Sequence, residues 1–86
     1  MNLEVGDIVL SVAGRDIGEM YVLWGFSGKE FLLVNGKFRK INSPKKKNPK
    51  HIVFKNKSAL YKECAEKGEN FNDALIRKIL KFEENC

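Results

Sequence analysis

At 86 residues, the chain is long enough for one small domain and too short for a multidomain enzyme with its own cofactor domain. Its hydrophobic fraction of 43% and charged fraction of 31% are typical of a folded globular chain and argue against wholesale disorder. The net charge of +5 is unevenly distributed, because residues 31–62 contain ten basic side chains and no acidic one. A basic block of this kind is typical of proteins that bind a polyanion.

The compartment is predicted from what the sequence lacks. No apolar stretch approaches the roughly 18 residues of a transmembrane helix, and residues 1–7 lack the basic start and apolar run of a signal peptide. Cys64 and Cys86 are too few for a disulfide framework or a four-ligand zinc site. We therefore expect a cytoplasmic protein with two free thiols, with a dimer-linking or redox role for Cys86 as the alternative.

Three strands are predicted in the first 34 residues. Residues 7–13, 20–26 and 30–34 are rich in β-branched and aromatic side chains, which favours strands. Glycines bound a loop at residues 14–18, and Gly28-Lys29 predicts a turn between the second and third strands.

Two further strands are predicted around a lysine-rich loop. The tight-turn pair Asn35-Gly36 predicts that residues 37–41 fold back as a fourth strand, with Phe38 facing the core between cationic neighbours. Residues 42–50 contain two prolines and four lysines, which predicts an exposed loop. A fifth strand is predicted at residues 51–54, and five short strands with tight turns suggest a small barrel.

The remaining residues predict two helices. Ser58 can cap the first, which would run to about Lys67, and Asn72 can cap the second, whose apolar residues form one face. The predicted fold is therefore mostly β with a C-terminal α part. Residues 1–57 would form the barrel, and residues 58–86 a helical extension packed on it, together making one compact domain.

A short motif connects the first two predicted strands. Val5-Gly6-Asp7-Ile8-Val9 enters the first strand, Ala13-Gly14-Arg15-Asp16-Ile17-Gly18 forms the loop, and Tyr21-Val22-Leu23 returns in the second. This arrangement resembles the KOW motif, which several ribosomal proteins and transcription elongation factors share. The sequence departs from many KOW motifs at Tyr21, where they have glycine.

The resemblance extends along most of the chain. The pattern from Lys37 to Ile52 and the segment Asn72-Asp73-Ala74-Leu75-Ile76-Arg77-Lys78-Ile79-Leu80 resemble KOW-domain relatives of the archaeal and eukaryotic large-subunit ribosomal proteins fourteen and twenty-seven. The resemblance implies an SH3-like five-stranded β-barrel that binds ribosomal RNA or associates with the ribosome. It also implies ribosomal-protein contacts through the C-terminal helices.

The candidate RNA-binding residues come from the motif and from the basic block. The KOW resemblance implies that Gly14 supplies the turn and that Arg15, Asp16 and Gly18 contact RNA. An arginine between glycines also suits a phosphate oxygen, because the turn offers backbone N–H groups beside the guanidinium. The basic block adds further candidates, since lysine and arginine neutralise phosphates. They are Lys37, Arg39, Lys40, Lys45, Lys46, Lys47, Lys50 and His51.

Other function classes receive less support. His51 and Cys64 could form a nucleophilic dyad, but no motif supplies a third orienting group, and no metal-ligand, paired-carboxylate or phosphate-loop pattern is present. We therefore expect no enzyme activity, cofactor, metal or small-molecule substrate. Most aromatic side chains are expected in the core. Trp24 is the one to consider for base stacking, but it lies inside an apolar strand, so we interpret it too as a core residue. The alternatives are an SH3-like protein-interaction module without an RNA ligand and weak binding to anionic membranes.

Overall fold

The computed structural model describes residues 3–84 and contains a five-stranded sheet followed by two helices. The strands are β1 (Ile8–Ser11), β2 (Met20–Ser27), β3 (Glu30–Val34), β4 (Lys45–Lys47) and β5 (Ile52–Asn56). A short 3₁₀ helix at Pro49–His51 precedes β5, and the helices are α1 (Ala59–Glu66) and α2 (Asp73–Glu84). The predicted class, mostly β with a C-terminal α part, is confirmed.

All neighbouring strands pair antiparallel, in the order β4-β3-β2-β1-β5. Leu10 of β1 pairs with Met20 of β2, and Val22 of β2 pairs with Val34 of β3. The end of β1, the start of β2 and the end of β3 therefore lie at one end of the sheet, together with the start of β5, which pairs with Ser11.

We call this end of the sheet the loop end, because three connecting segments reach it. They are the glycine loop (residues 12–19), the Asn35 loop (residues 35–41) and the segment before β5 (residues 48–51), which leads from the end of β4 to this end and reaches it at His51. The turn between β2 and β3 and the start of β1 lie at the opposite end.

Each face of the sheet contributes to a buried cluster, since neighbouring residues of a strand point to opposite sides. On one face, Ile8, Val22 and Val34 pack with Ile76 and Ile79 of α2. The other face forms a second cluster, whose buried members are Val9, Tyr21, Leu23, Leu33 and Ile52. The helical extension therefore shares a core with the sheet through α2.

The prediction of a fourth strand at residues 37–41 is wrong. These residues form turns and bends, and the fourth strand is the three-residue β4 at the edge of the sheet, inside the predicted lysine-rich loop. Pro44 and Pro49 flank β4 without entering it, and an edge position tolerates them. Phe38, which the alternation places in the core, is 63% exposed.

Both helices begin at the predicted caps. The Ser58 hydroxyl accepts a hydrogen bond from the Tyr61 N–H at 3.0 Å, and the Asn72 side-chain oxygen accepts one from the Leu75 N–H at 2.8 Å. Trp24 packs edge-on against Phe71 and lies beside the α2 core, as its interpretation as a core residue predicts. Among residues 3–84, no helix combines the length and apolar character needed to cross a membrane.

Cys64 is a free, buried thiol in α1. A hydrogen bond with Glu69, and then burial, raise the pKa of this thiol above its ordinary value, so it is a poor nucleophile. Cys86 lies outside the described residues.

Candidate nucleic-acid interface

The glycine loop is a compact turn held by its own backbone. The Ser11 N–H donates to the Glu19 carbonyl and the Gly18 N–H donates to the Ser11 carbonyl, at 3.0 and 2.9 Å. Gly14 and Gly18 both have a φ of 87°, in the left-handed region that glycine favours. Arg15 lies between them, exposed to solvent. The loop therefore presents the Arg15 side chain to solvent.

Asp16 organises the interior of this loop. Its carboxylate accepts hydrogen bonds from the Ser11 hydroxyl at 2.8 Å, the Tyr21 hydroxyl at 2.7 Å and the Lys47 ammonium at 2.5 Å. Partial burial alone would raise the pKa of Asp16, but these hydrogen bonds outweigh it and hold the pKa well below its ordinary value. Burial and the bond to Asp16 raise the pKa of Tyr21, so this hydroxyl stays protonated as a donor.

Two of the predicted RNA-binding lysines point into this network. The Lys47 side chain is only 7% exposed, and its ammonium donates to both Asp16 and the Ala13 carbonyl. Lys45 lies on the same face of β4, with its ammonium 3.8 Å from Asp16. In this arrangement Asp16 and Lys47 fasten β4 to the glycine loop, and neither presents its charge to a ligand. Lys46, on the other face of β4, is exposed.

The Asn35 loop is organised by a buried amide. Asn35 is 1% exposed, and its side-chain oxygen accepts hydrogen bonds from the Lys37 and Arg39 N–H groups at 3.0 Å each. Its backbone N–H donates to the Arg39 carbonyl at 2.8 Å, which closes the turn. These bonds use the amides that a strand at residues 37–41 would need for pairing, which explains why that strand is absent.

Helix α2 is hydrogen-bonded to the Asn35 loop at two places. Arg77 donates to the Gly36 carbonyl, and the Asp73 carboxylate accepts from the Ile41 N–H at 2.9 Å. Gly36 has a φ of 74°, and a Cβ there would collide with the backbone of Asp73, so only glycine fits this contact. The loop is therefore fixed to both the sheet and the helix.

The candidates on the Asn35 loop differ in exposure. Lys37 and Lys40 are exposed, whereas Arg39 is half-buried and near enough for its charge to act on Tyr21 of β2. Between the lysines lies Phe38, which the sequence analysis missed as a surface residue. The missed signal is Asn35, because asparagine readily caps a local turn with its own side chain.

The segment before β5 joins the same end of the molecule. The Asn48 side chain accepts a hydrogen bond from the Lys50 N–H at 3.0 Å and starts the 3₁₀ helix. The His51 carbonyl accepts from the Val12 N–H at 2.8 Å, which ties this helix to the glycine loop. Lys50 is exposed and His51 is half-buried.

The structure thus separates the twelve predicted residues into two groups. Exposed cations at or beside the loop end are Arg15, Lys37, Lys40, Lys46 and Lys50. Residues that are buried, half-buried or glycine, and that build the loops, are Gly14, Asp16, Gly18, Arg39, Lys45, Lys47 and His51. Another cation of the basic block, Lys57, pairs with Asp7 at 2.9 Å at the opposite end of the sheet.

A groove of about 590 Å³ runs between the loop end and α2. Leu10, Met20 and Leu80 form its apolar floor, and Gly18 and Lys37 bring both loops to its rim. Glu19 also lines the groove, with its carboxylate 3.5 Å from the Asn35 amide nitrogen. The groove is therefore lined by side chains of both signs of charge.

Residues 3–84 contain no group of three or more histidine, cysteine, aspartate or glutamate side chains placed to hold a metal ion. A scan against protein-family models finds no match for the chain, and a search of curated proteins finds none either.

Proposed function

We propose that this chain is a non-enzymatic, KOW-type RNA-binding protein whose sheet curls into a small SH3-like barrel, and that the loop end binds RNA phosphates. The observation that carries the proposal is the convergence of exposed cations from separate segments. Arg15, Lys37 and Lys50 come from the glycine loop, the Asn35 loop and the segment before β5. Hydrogen bonds between these segments, the sheet and α2 hold the backbone that presents them.

The chemistry of this surface favours a phosphate backbone as ligand. Cations on fixed loops can meet phosphates spaced along a folded strand, whereas base-edge readout needs an element that enters a groove. Helix α1 carries two exposed acidic residues, Glu63 and Glu66, so it does not suit such a role. Shape-dependent recognition of folded RNA suits a small sheet with cationic loops. The KOW resemblance favours ribosomal RNA as the class of RNA.

A salt titration gives the first quantitative expectation. If about five cations contact phosphate, the slope of log affinity against log salt is about −3.5 to −4.5. Affinity would then fall about 100- to 500-fold between 50 and 200 mM salt. Binding that does not change with salt would favour the protein-interaction alternative.

The test is crosslinking of the protein to RNA in living cells, followed by sequencing of the recovered RNA. The informative variant is Arg15→Glu with Lys50→Glu, which reverses two charges at the loop end. The matched control is Lys29→Glu with Lys62→Glu. It makes the same charge change in the turn between β2 and β3 and on α1.

We expect the parent and the control to enrich one region of ribosomal RNA, and the loop-end variant to lose that enrichment. Equal loss in both variants would mean that only net charge matters, which contradicts a site at the loop end. Recovery of no RNA above background by the parent would contradict the proposed function itself.

A further inference from the structure

The Asn35 loop exposes a large aromatic ring at its tip. Phe38 is 63% exposed, although burying it would stabilise the protein. It lies between Lys37, which is exposed, and Arg39, which is half-buried. An exposed aromatic residue flanked by cations is placed to meet a ligand that has both an apolar face and negative charge.

The backbone that carries Phe38 is fixed. The amides on both sides of it donate to the buried Asn35 side chain, and the Asn35 N–H donates to the Arg39 carbonyl. Arg77 and Asp73 of α2 hold the two ends of the loop. The ring is therefore presented on a preorganised loop, so a ligand that stacks on it does not have to order the backbone first.

A second apolar side chain lies on the neighbouring loop. Ile17 is 67% exposed and stands next to Gly18 in the glycine loop. Gly18 and Lys37 line the same groove, so the segments that carry Ile17 and Phe38 adjoin there. The loop end thus combines two exposed apolar side chains with cations on both loops.

A nucleobase attached to its phosphate has the chemistry that this surface recognises. In a duplex, base faces are covered by neighbouring base pairs, so an aromatic side chain can stack only on an unpaired or terminal base. We propose that Phe38 is a stacking platform for an unpaired base, so that the preferred partner is a folded RNA with a bulged or looped-out nucleotide beside its phosphates. This inference rests on the proposed RNA-binding function.

The experiment compares two short RNA hairpins that differ only by one bulged uridine, with binding followed by fluorescence anisotropy. The variants are Phe38→Ala and the conservative Phe38→Trp. Phe26→Ala is the matched control, because Phe26 is 51% exposed on β2 toward the opposite end of the sheet. Thermal unfolding of each variant establishes the folded fraction.

We expect the parent, Phe38→Trp and Phe26→Ala to prefer the bulged hairpin. Phe38→Ala should lose about 10-fold in affinity for it and less than about 2-fold for the paired hairpin. The indole emission of Phe38→Trp, compared with that of the parent, should be quenched by the bulged hairpin.

The remaining outcomes overturn one proposal or the other. Equal loss on both hairpins, no loss on either, or an unquenched Phe38→Trp would overturn the stacking role while leaving RNA binding in place. Failure of the parent to bind either hairpin, even at low salt, would instead overturn the proposed function.

Discussion

The glycine loop and the Asn35 loop adjoin at the loop end, and each is organised by one side chain that accepts several hydrogen bonds. In the glycine loop this acceptor is the Asp16 carboxylate, and in the Asn35 loop it is the Asn35 amide oxygen. The carboxylate is charged, so its partial burial requires a counter-charge, and Lys47 supplies it. The amide is neutral, so backbone N–H groups satisfy it.

This difference decides which cations remain for a ligand. Asp16 draws Lys47 inward and holds Lys45 nearby, so β4 presents only Lys46 freely. The Asn35 oxygen accepts from backbone N–H groups and its amide nitrogen faces the Glu19 carboxylate, whereas Lys37 and Lys40 of this loop are exposed. The number of lysines in the basic block therefore overstates the number of exposed cations, because Asp16 folds against two of them.

The largest expected effect is the loss of the Asp16 charge. Asp16→Asn leaves the Lys47 ammonium buried without a counter-charge, so we expect the free energy of unfolding to fall by about 3 kcal/mol. Urea denaturation measures the change. The control Glu63→Gln removes an exposed carboxylate that pairs with Lys67 at 2.8 Å, and should cost less than about 0.5 kcal/mol.

A double variant separates the charge from the shape of the network. Adding Lys47→Met to Asp16→Asn removes the uncompensated ammonium, and should recover about 1–2 kcal/mol. If the double variant is no more stable than Asp16→Asn alone, burial of an unpaired charge is not the cause of the loss.

Removal of the Asn35 acceptor is the next largest effect. Asn35→Ala leaves the Lys37 and Arg39 N–H groups without their partner, which should cost about 2 kcal/mol in urea denaturation. Asn48→Ala is the matched control. Its side chain accepts a single bond from Lys50 in an exposed turn, so it should cost about 0.5–1 kcal/mol. Equal costs for the two variants would refute the organising role of Asn35.

Acid should weaken the hydrogen-bond network that Asp16 organises in the glycine loop. The Asp16 pKa is lowered in the folded protein, so as the pH falls below about 4 the unfolded chain binds this proton before the folded chain does. The stability that Asp16 contributes is therefore complete above that pH. It declines on acidification by at most about 1.4 kcal/mol per pH unit. Unfolding free energies measured between pH 5 and 2 test this directly. From the linkage relation, we expect them to fall less steeply in Asp16→Asn than in the parent.

The smallest effect distinguishes two adjacent lysines. Lys46→Gln should reduce RNA affinity about 2- to 4-fold and make the salt slope shallower by about one phosphate contact, with unchanged stability. Lys47→Gln should lower stability instead, and its folded fraction should bind RNA as the parent does. Anisotropy titrations measure the RNA affinity of both variants, and thermal unfolding on the same samples measures their stability. The reverse pattern would contradict the assignment of Lys47 as internal.

Local patterns predicted much of the fold. The first three strands, the fifth strand and both helix caps follow from β-branched runs, turn residues and capping side chains that are close in sequence. The position of the fourth strand did not follow, because the Asn35-Gly36 signal for a hairpin competes with bonds to Asp73 and Arg77, which lie more than 30 residues away.

The residue types of the candidate site could be predicted from the sequence, but which of the lysines points inward could not. The exposure of Arg15 follows from the glycines beside it, and the exposure of Lys50 from a turn next to proline. The burial of Lys47 depends on Asp16, 31 residues earlier, and no local pattern in the lysine run distinguishes it from Lys46. Phe38 was missed for a different reason. Alternation predicts a strand only where the backbone is free to pair, and the Asn35 side chain occupies the amides on both sides of Phe38.

The attachment of the Asn35 loop to α2 has a consequence for its motion. The N–H groups of Lys37, Arg39 and Ile41 all donate to side-chain oxygens, and Asp73 of α2 supplies the last of these acceptors. Such amides exchange with solvent only when the structure that supplies the acceptor opens. In hydrogen–deuterium exchange, this irregular segment should therefore be protected like a strand, and its Ile41 amide should become accessible together with the undocking of α2.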